Sequence, residues 1–317
     1  MTLKMTRRSA LALSGAALGA MAAPSLLRAE GLQPIRFGFY PAVDFVGVFL
    51  AKDQGIFEKH GIDFELTPMA ATAIVPALVT NSIDIGTLNM IPTLQSIDAG
   101  LPISMIGGGQ RLPATGNIGL MARVGAGLKE PADLYGRRLA TPALNNIMLY
   151  MFNYWFKQKG LDPQKLKWIE VPPVNYSDMM KRGEIDAALN FDPFFFIMKE
   201  EGVAEPFVNF FENAPEGVVV GGYQGNSDWA TKNPELVKKF RMALVEGSDL
   251  AMANHELAYA SIAKWTKMAD DLVRKMAIPN LSPKVAPENL DYVFTVMRDQ
   301  DLLKTDLTAE QALTPWE

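Results

Sequence analysis

Two hydrophobic periods alternate along this chain, one of two residues and one of three to four, and they predict strands and helices in turn. Ile35 to Phe39 alternates as a strand, and Tyr40-Pro41-Ala42-Val43-Asp44 turns into a helix over Phe45 to Asp53 that stops at Gly55. A short turn, Ile56 to Gly61, leads to a strand from Ile62 to Leu66, and Pro92 to Asp98 is a helix ended by Gly100-Leu101-Pro102. Ile103 to Ile106 is a buried strand that runs into Gly107-Gly108-Gly109-Gln110-Arg111. Ile118 to Ala122 reads as a crossing strand, with Gly125-Ala126-Gly127 and Pro131 marking the passage into a second lobe. There, strands at Arg138 to Ala140, Lys167 to Val171 and Ala187 to Asn190 alternate with helices at Ile147 to Lys159, Tyr176 to Arg182 and Phe194 to Glu201. Val218 to Gly222 is the strand returning to the first lobe. After it come only helices, Pro234 to Ala253, Leu257 to Met268 and Pro287 to Asp299, expected to wrap the outside of that lobe. Alternation of this kind is the grammar of open, mostly parallel sheets with helices on both faces.

One unit occurs twice. A helical face through Val75, Leu78 and Val79 breaks at Asn81-Ser82, passes into Ile83-Asp84-Ile85, and ends in the polar loop Thr87 to Asn89. The same order returns 102 positions later, through Gly183-Glu184-Ile185-Asp186, Ala187-Ala188-Leu189 and Asn190-Phe191-Asp192-Pro193. Two copies imply two similar α/β lobes, each ending a strand in a loop that can face the other. Asp84 and Asp186 sit at buried strand entries and are read as structural acids with local partners.

Composition changes the picture mainly at the amino terminus. The chain has 317 residues, 49% hydrophobic and 21% charged, a globular composition large enough for two domains. Lys4, Arg7 and Arg8 precede a small, apolar run from Ala10 to Ala23, which reads as an export signal over residues 1–29. Thr6-Arg7-Arg8-Ser9-Ala10-Leu11 matches much of the twin-arginine (Tat) pattern, with Ala10 where a large apolar residue is usual. Cleavage after Ala29 takes four of the 30 basic residues and none of the 35 acidic ones, moving the net charge from −5 to −9. An acidic balance argues against nucleic acid or anionic lipid as partner. The absence of cysteine excludes disulfides, thiolate metal sites, a cysteine nucleophile and a lipid-anchored cysteine. An exported protein without a lipid-anchored cysteine, metal or cofactor is therefore expected.

Three runs carry a resemblance. Gly38-Phe39-Tyr40-Pro41-Ala42-Val43-Asp44-Phe45, then Ala51-Lys52-Asp53-Gln54-Gly55-Ile56-Phe57-Glu58-Lys59-His60-Gly61-Ile62-Asp63, then Ala77-Leu78-Val79-Thr80-Asn81-Ser82-Ile83-Asp84-Ile85-Gly86 resemble the solute-binding proteins of nitrate/sulfonate/taurine-type ABC importers. The superfamily also contains binders of thiamine-precursor pyrimidines. The resemblance implies a type II periplasmic binding protein. Its two α/β lobes would each be an open, mostly parallel sheet flanked by helices, joined by two crossing strands, with the ligand in the cleft. On that reading residues 30–122 begin the first lobe, 123–217 form the second, and 218–317 return to the first. The implied partners are a small solute and an inner-membrane permease with its ATPase.

The loops at the strand ends supply the candidate ligand contacts: Tyr40, Asp44, Thr72, Asn89, Gln110, Arg111, Asn145, Asn146, Asp192 and Tyr223. Asp44 and Asp192 are acceptors for a ligand amine or amidine, or else N-caps of the helices that follow. Arg111 is the only cation in these loops and suits a sulfonate or carboxylate, or else is solvated. Asn145 and Asn146 precede a helix whose backbone N–H groups attract an anion, and Asn is equally an ordinary cap. Where sulfonate binders tend to carry a Ser/Thr-rich loop before that helix, Thr141-Pro142-Ala143-Leu144-Asn145-Asn146 stands here. The expected solute is sulfonate- or taurine-like. An aminopyrimidine or an aromatic carboxylate is the alternative, and ligand sensing for a membrane receptor is a further one. An enzyme of pyrimidine synthesis is disfavoured, since its chemistry asks for clustered histidine and cysteine, and this chain has only His60 and His255.

Overall fold

The first strand, β1 (Gln33–Phe39), buries Ile35, Phe37 and Phe39, as its alternation predicts. In this computed structural model, which describes residues 31–112 and 118–316, nine further strands follow. They are β2 (Ile62–Pro68), β3 (Ile85–Asn89), β4 (Ile103–Gly108), β5 (Ile118–Arg123), β6 (Leu139–Thr141), β7 (Trp168–Glu170), β8 (Ala187–Phe191), β9 (Ala204–Val208) and β10 (Gly221–Asn226). The export signal assigned to residues 1–29 lies outside the described residues. No described helix is long and apolar enough to cross a membrane.

The strands form two five-stranded sheets of identical plan, β2-β1-β3-β10-β4 and β7-β6-β8-β5-β9. In each, four strands run parallel, and the fourth position holds one strand running against the rest. That antiparallel strand arrives from the other half of the chain. β5 leaves the first lobe to pair with β8 and β9, and β10 leaves the second to pair with β3 and β4. This is the two-lobed type II binding-protein plan with its two crossings.

The duplicated Ile-Asp unit is an architectural clamp in both lobes. Arg36 donates its backbone N–H and Nε to Asp84 Oδ2 at 2.8 and 3.1 Å, and its Nη2 to Oδ1 at 2.6 Å. Arg138 meets Asp186 through the same three donors at 3.1, 3.0 and 2.9 Å, at the same sequence separation of 48. Both aspartates are almost fully buried, so the bidentate guanidinium and the backbone donor satisfy a carboxylate that would otherwise be costly. Asp186 has Arg123 as well, at 3.0 Å. Burial opposes its charge, but the Arg138 and Arg123 bonds outweigh this and hold its carboxyl down at about 2.

Where the chain crosses between lobes, residues 109–112 and 217–221 run antiparallel. Gly109 donates to Gly221, Val220 to Gln110 and Leu112 to Val218, at 2.9, 3.1 and 2.8 Å. The returning strand expected at Val218 to Gly222 is thus split: its first half lies in this crossing, and the ladder with the first sheet begins at Gly221.

The first-lobe core gathers Phe37, Phe57, Phe64 and Phe240, with Phe57 and Phe64 stacked at 3.7 Å between centroids. The Pro234–Ala253 and His255–Thr266 helices pack on the Val46–Asp53 helix, outside the first lobe as expected. The Asp291–Asp299 helix departs from expectation. It packs against Ile147–Gln158 of the second lobe as well as Met90–Asp98 of the first, because its Val293, Phe294, Val296 and Met297 are a buried apolar stripe that joins a core shared by both.

Candidate functional site

Between the carboxyl ends of the two sheets lies a cavity of about 300 Å³, where open α/β sheets bind ligands. The first lobe contributes Tyr40 and Asp44, just beyond β1, and Asn89, the last residue of β3. The second contributes Asn146, the N-cap of the Ile147–Gln158 helix, and Asp192, just beyond β8. Gln110 comes from the crossing. Six of the ten residues expected at the site therefore line one space.

The other four lie elsewhere, each for a physical reason. Thr72 is exposed in the first turn of the Ala71–Val79 helix. Arg111 turns away from the cavity, its Nε and Nη1 directed at Asn280 Oδ1 and Ser282 Oγ, both at 3.4 Å. Asn145 sits on an exposed rim, donating to Gln95 Oε1 of the first lobe and accepting from Tyr150 Oη, both at 3.1 Å. Tyr223 is 1% exposed, its ring packed 5.7 to 6.0 Å from those of Phe45, Phe37 and Phe240. Its position in β10 buries it in the core instead of the cleft.

Asp44 has lost the alternative role the sequence allowed it. The helix after Asp44 has Phe45 at its N-cap, and the 3₁₀ turn before it has Ala42, neither capped by a side chain. Pro193 holds the cap position of the Phe194–Glu200 helix, again without a side-chain bond. Burial in the cleft pushes the Asp44 carboxyl up to about 6. Tyr40 and Tyr223 lie near enough that the Asp44 charge adds to burial in raising their phenols, so both stay protonated.

Asn146 and Asn89 do serve as caps. Asn146 Oδ1 accepts the Leu149 N–H at 3.1 Å, and its Nδ2 is taken by Thr141 Oγ1, at 3.1 Å, and by the Ala143 carbonyl. Asn89 Oδ1 accepts the Ile91 N–H at 3.2 Å.

The walls between these polar groups are apolar, with Ile147, Met148, Phe191 and Phe211 on one side and Leu112, Met276 and Pro279 on another. Sequence reasoning sought polar loop residues and missed these. The segment around Met276 reaches the cleft because it is laid along the end of β4: Gly108 donates to Pro283 O and Ser282 to Gly109 O, both at 2.8 Å. A Cβ at Gly108 would overlap the Ser282 carbonyl oxygen, so only glycine allows this approach. The Gly107-Gly108-Gly109 run was the signal, without its partner strand.

Comparison with known proteins bears on both fold and family. Two solved structures superpose on nearly the whole chain. The aliphatic sulphonate-binding protein SsuA of Escherichia coli has a TM-score of 0.73 at 18% identity, covering 89% of this chain and 97% of that one. The alkanesulfonate-binding SsuA of Xanthomonas axonopodis pv. citri, bound to MOPS, has a TM-score of 0.71 at 18%, covering 89% and 98%. In sequence, the taurine-binding periplasmic protein of Escherichia coli K12 is 22% identical over 207 residues, 64% of this chain and 59% of that protein. The 4-amino-5-hydroxymethyl-2-methylpyrimidine phosphate synthase THI12 of Saccharomyces cerevisiae is 23% identical over 227 residues, 68% of this chain and 65% of that protein. The chain thus spans less than two thirds of the length of these curated relatives. Residues 42–258 match the NMT1/THI5 like family, and that is the family to which this chain belongs.

Proposed function

We propose that this protein is the periplasmic receptor of an ABC importer, capturing a small organic solute between its lobes and delivering it, as a monomer, to an inner-membrane permease and its ATPase. The observation that carries this reading is one cavity walled by strand ends of both sheets and bordered by two antiparallel crossing segments. A solute touching Tyr40, Asp44 and Asn89 from one side and Asp192 from the other stabilises the state in which the lobes are together. The permease would then distinguish loaded from empty receptor by that closure. The names of the taurine- and sulfonate-binding relatives support the same reading.

The relatives named as synthases raise the alternative of an enzyme. Against it, neither histidine lines the cavity: His60 is held 3.0 Å from Glu246 on the outside of the first lobe, and His255 is exposed at the start of its helix. On ligand chemistry, the relatives' names favour a sulfonate or taurine-like anion. The acidic lining favours a solute with hydrogen-bond donors, the aminopyrimidine alternative among them.

The test is a thermal-unfolding panel on protein stripped of co-purified solute, with taurine, alkanesulfonates, nitrate, aromatic carboxylates and aminopyrimidines. A solute at about 100 times its Kd adds about 2.7 kcal/mol, enough to raise the midpoint by several degrees. A rise with one class supports the receptor reading, and no rise with any class counts against it.

A further inference from the structure

We propose, on the receptor reading above, that the cleft takes an organic cation, a protonated amine or amidinium on a compact apolar body, with the Asp44 carboxylate as its counter-ion.

The first ground is the charge inventory of the cavity. Asp44 and Asp192 line it, and among the described residues no Lys, Arg or His does. Residues 113–117, which the structure does not describe, contain none in sequence. The two cations nearest in sequence to the lining are engaged elsewhere: Arg111 faces Asn280 and Ser282, and Lys275, beside Met276, has its Nζ 5.8 Å from the centre of the Phe196 ring. An anion entering here would meet the Asp44 carboxylate and, among the described lining residues, no cation.

The second ground is Asp44 itself. Its side chain receives no hydrogen bond or ion pair from any described residue. Its near neighbours are the phenols of Tyr40, beyond β1, and Tyr223, on β10, both protonated throughout the ordinary pH range. Among the described residues two aspartates are almost fully buried, Asp84 and Asp186, and each is met by a bidentate arginine, whereas the partly buried Asp44 is met by none. An ionised carboxylate held partly out of water without a partner is costly, and a ligand cation that closes over it removes that cost.

The third ground is the state of the helix ends. Two helices, Met90–Asp98 and Ile147–Gln158, begin at the cavity wall, and their backbone N–H groups are the donors an anionic headgroup would need. Asn89 and Asn146 already take one of these N–H groups each, those of Ile91 and Leu149, with their own Oδ1 atoms. The apolar walls fit the body of the ligand and include Phe191 and Phe211, aromatic residues of the kind that attract a cation.

Three probes of one shape separate charge from fit: benzamidinium, benzoate and benzenesulfonate, titrated calorimetrically into the solute-stripped protein at pH 7.5. Benzamidinium is expected to bind at least about tenfold more tightly than either anion. Its affinity should fall about tenfold or less between pH 6 and pH 5, as a proton competes for Asp44, and change little above pH 7. Asp44→Asn should lower it by about tenfold or more in protein whose circular dichroism and unfolding remain native-like. The proposal is overturned if either anion binds as tightly as benzamidinium, if Asp44→Asn leaves benzamidinium affinity unchanged, or if benzamidinium does not bind at millimolar concentration. Tight binding of an anion would remove the cation and leave the receptor intact. Failure of these probes and of the wider thermal panel together would remove the receptor reading too.

Discussion

Replacing Asp44 by Asn should make the solute-free protein more stable, and the gain should depend on pH. The carboxyl is raised from 3.8 in the unfolded chain to about 6 in the cleft by burial. Between those values the native state holds a proton that the unfolded state has released, so stability falls as pH rises through that window. At about 1.4 kcal/mol per unit, the ceiling on the neutral-pH cost is about 3 kcal/mol, and partial opening of the cleft to solvent lowers this to about 1–3 kcal/mol. Asparagine keeps the shape and never carries the charge. The assay is thermal or urea unfolding of solute-stripped wild type and Asp44→Asn at pH 4.5 and pH 7.5. The variant should gain several degrees at pH 7.5 and distinctly less at pH 4.5. A variant less stable than wild type at pH 7.5, or a gap that ignores pH, would refute the claim that Asp44 is an unpartnered carboxylate held partly out of water. Lower stability would mean that Asp44 makes a structural contact, and a constant gap would mean that its charge is not what matters.

Further outcomes follow from the same geometry. Asp186→Asn, which strips two guanidiniums of a shared partner, should cost about 1–3 kcal/mol after discounting for their solvent exposure. Because the Asp186 carboxyl is depressed to about 2, its contribution is present above about pH 4 and lost as pH falls toward 2. Wild type and variant should therefore converge in acid unfolding. Gly108→Ala places a methyl against the Ser282 backbone and should cost about 1–3 kcal/mol while displacing the Met276 wall, read as a lower midpoint and weaker solute binding. Asn146→Ala removes a cap worth about 1 kcal/mol and uncovers the Leu149 N–H beside the cavity. Its midpoint should drop slightly and its affinity for benzenesulfonate should rise; an unchanged anion affinity would show that the cap is not what excludes anions.

The parts of this fold that were legible in sequence are those written in local patterns. Strand and helix periods located β1, β2 and β4 to β8 closely, while β3 runs through Thr87 to Asn89, read as a loop, because buried Thr87 continues the ladder. The repeated Ile-Asp unit announced two lobes because each aspartate must meet an arginine 48 residues upstream. β9 escaped notice because Pro206 and Glu205 interrupt its apolar pattern, which its edge position tolerates. The helix at Asp291–Asp299 was found and misplaced, since an apolar stripe shows that a face is buried but not against which lobe. At the cavity, topology alone was enough to bring Tyr40, Asp44, Asn89 and Asp192 to one space. Tyr223 fell to the wrong side because the returning strand enters its ladder only at Gly221. Arg111 was drawn off by Asn280 and Ser282, residues about 170 positions away that no local pattern links to it. The apolar walls were hidden for the same reason, as Met276 and Phe211 reach the cleft only through tertiary packing.

The most direct test of the central claim is the distance between the lobes with and without solute. The chain has no cysteine, so cysteines introduced at the exposed positions Thr72, on the first lobe, and Val174, on the second, would be its only label sites. Pulsed dipolar spectroscopy on the doubly spin-labelled, solute-stripped protein should give a broad distribution. With a solute that raises the unfolding midpoint, it should collapse to a narrower and shorter one, and Asp44→Asn should prevent the collapse. A distribution unchanged by a solute that demonstrably binds would contradict capture between the lobes.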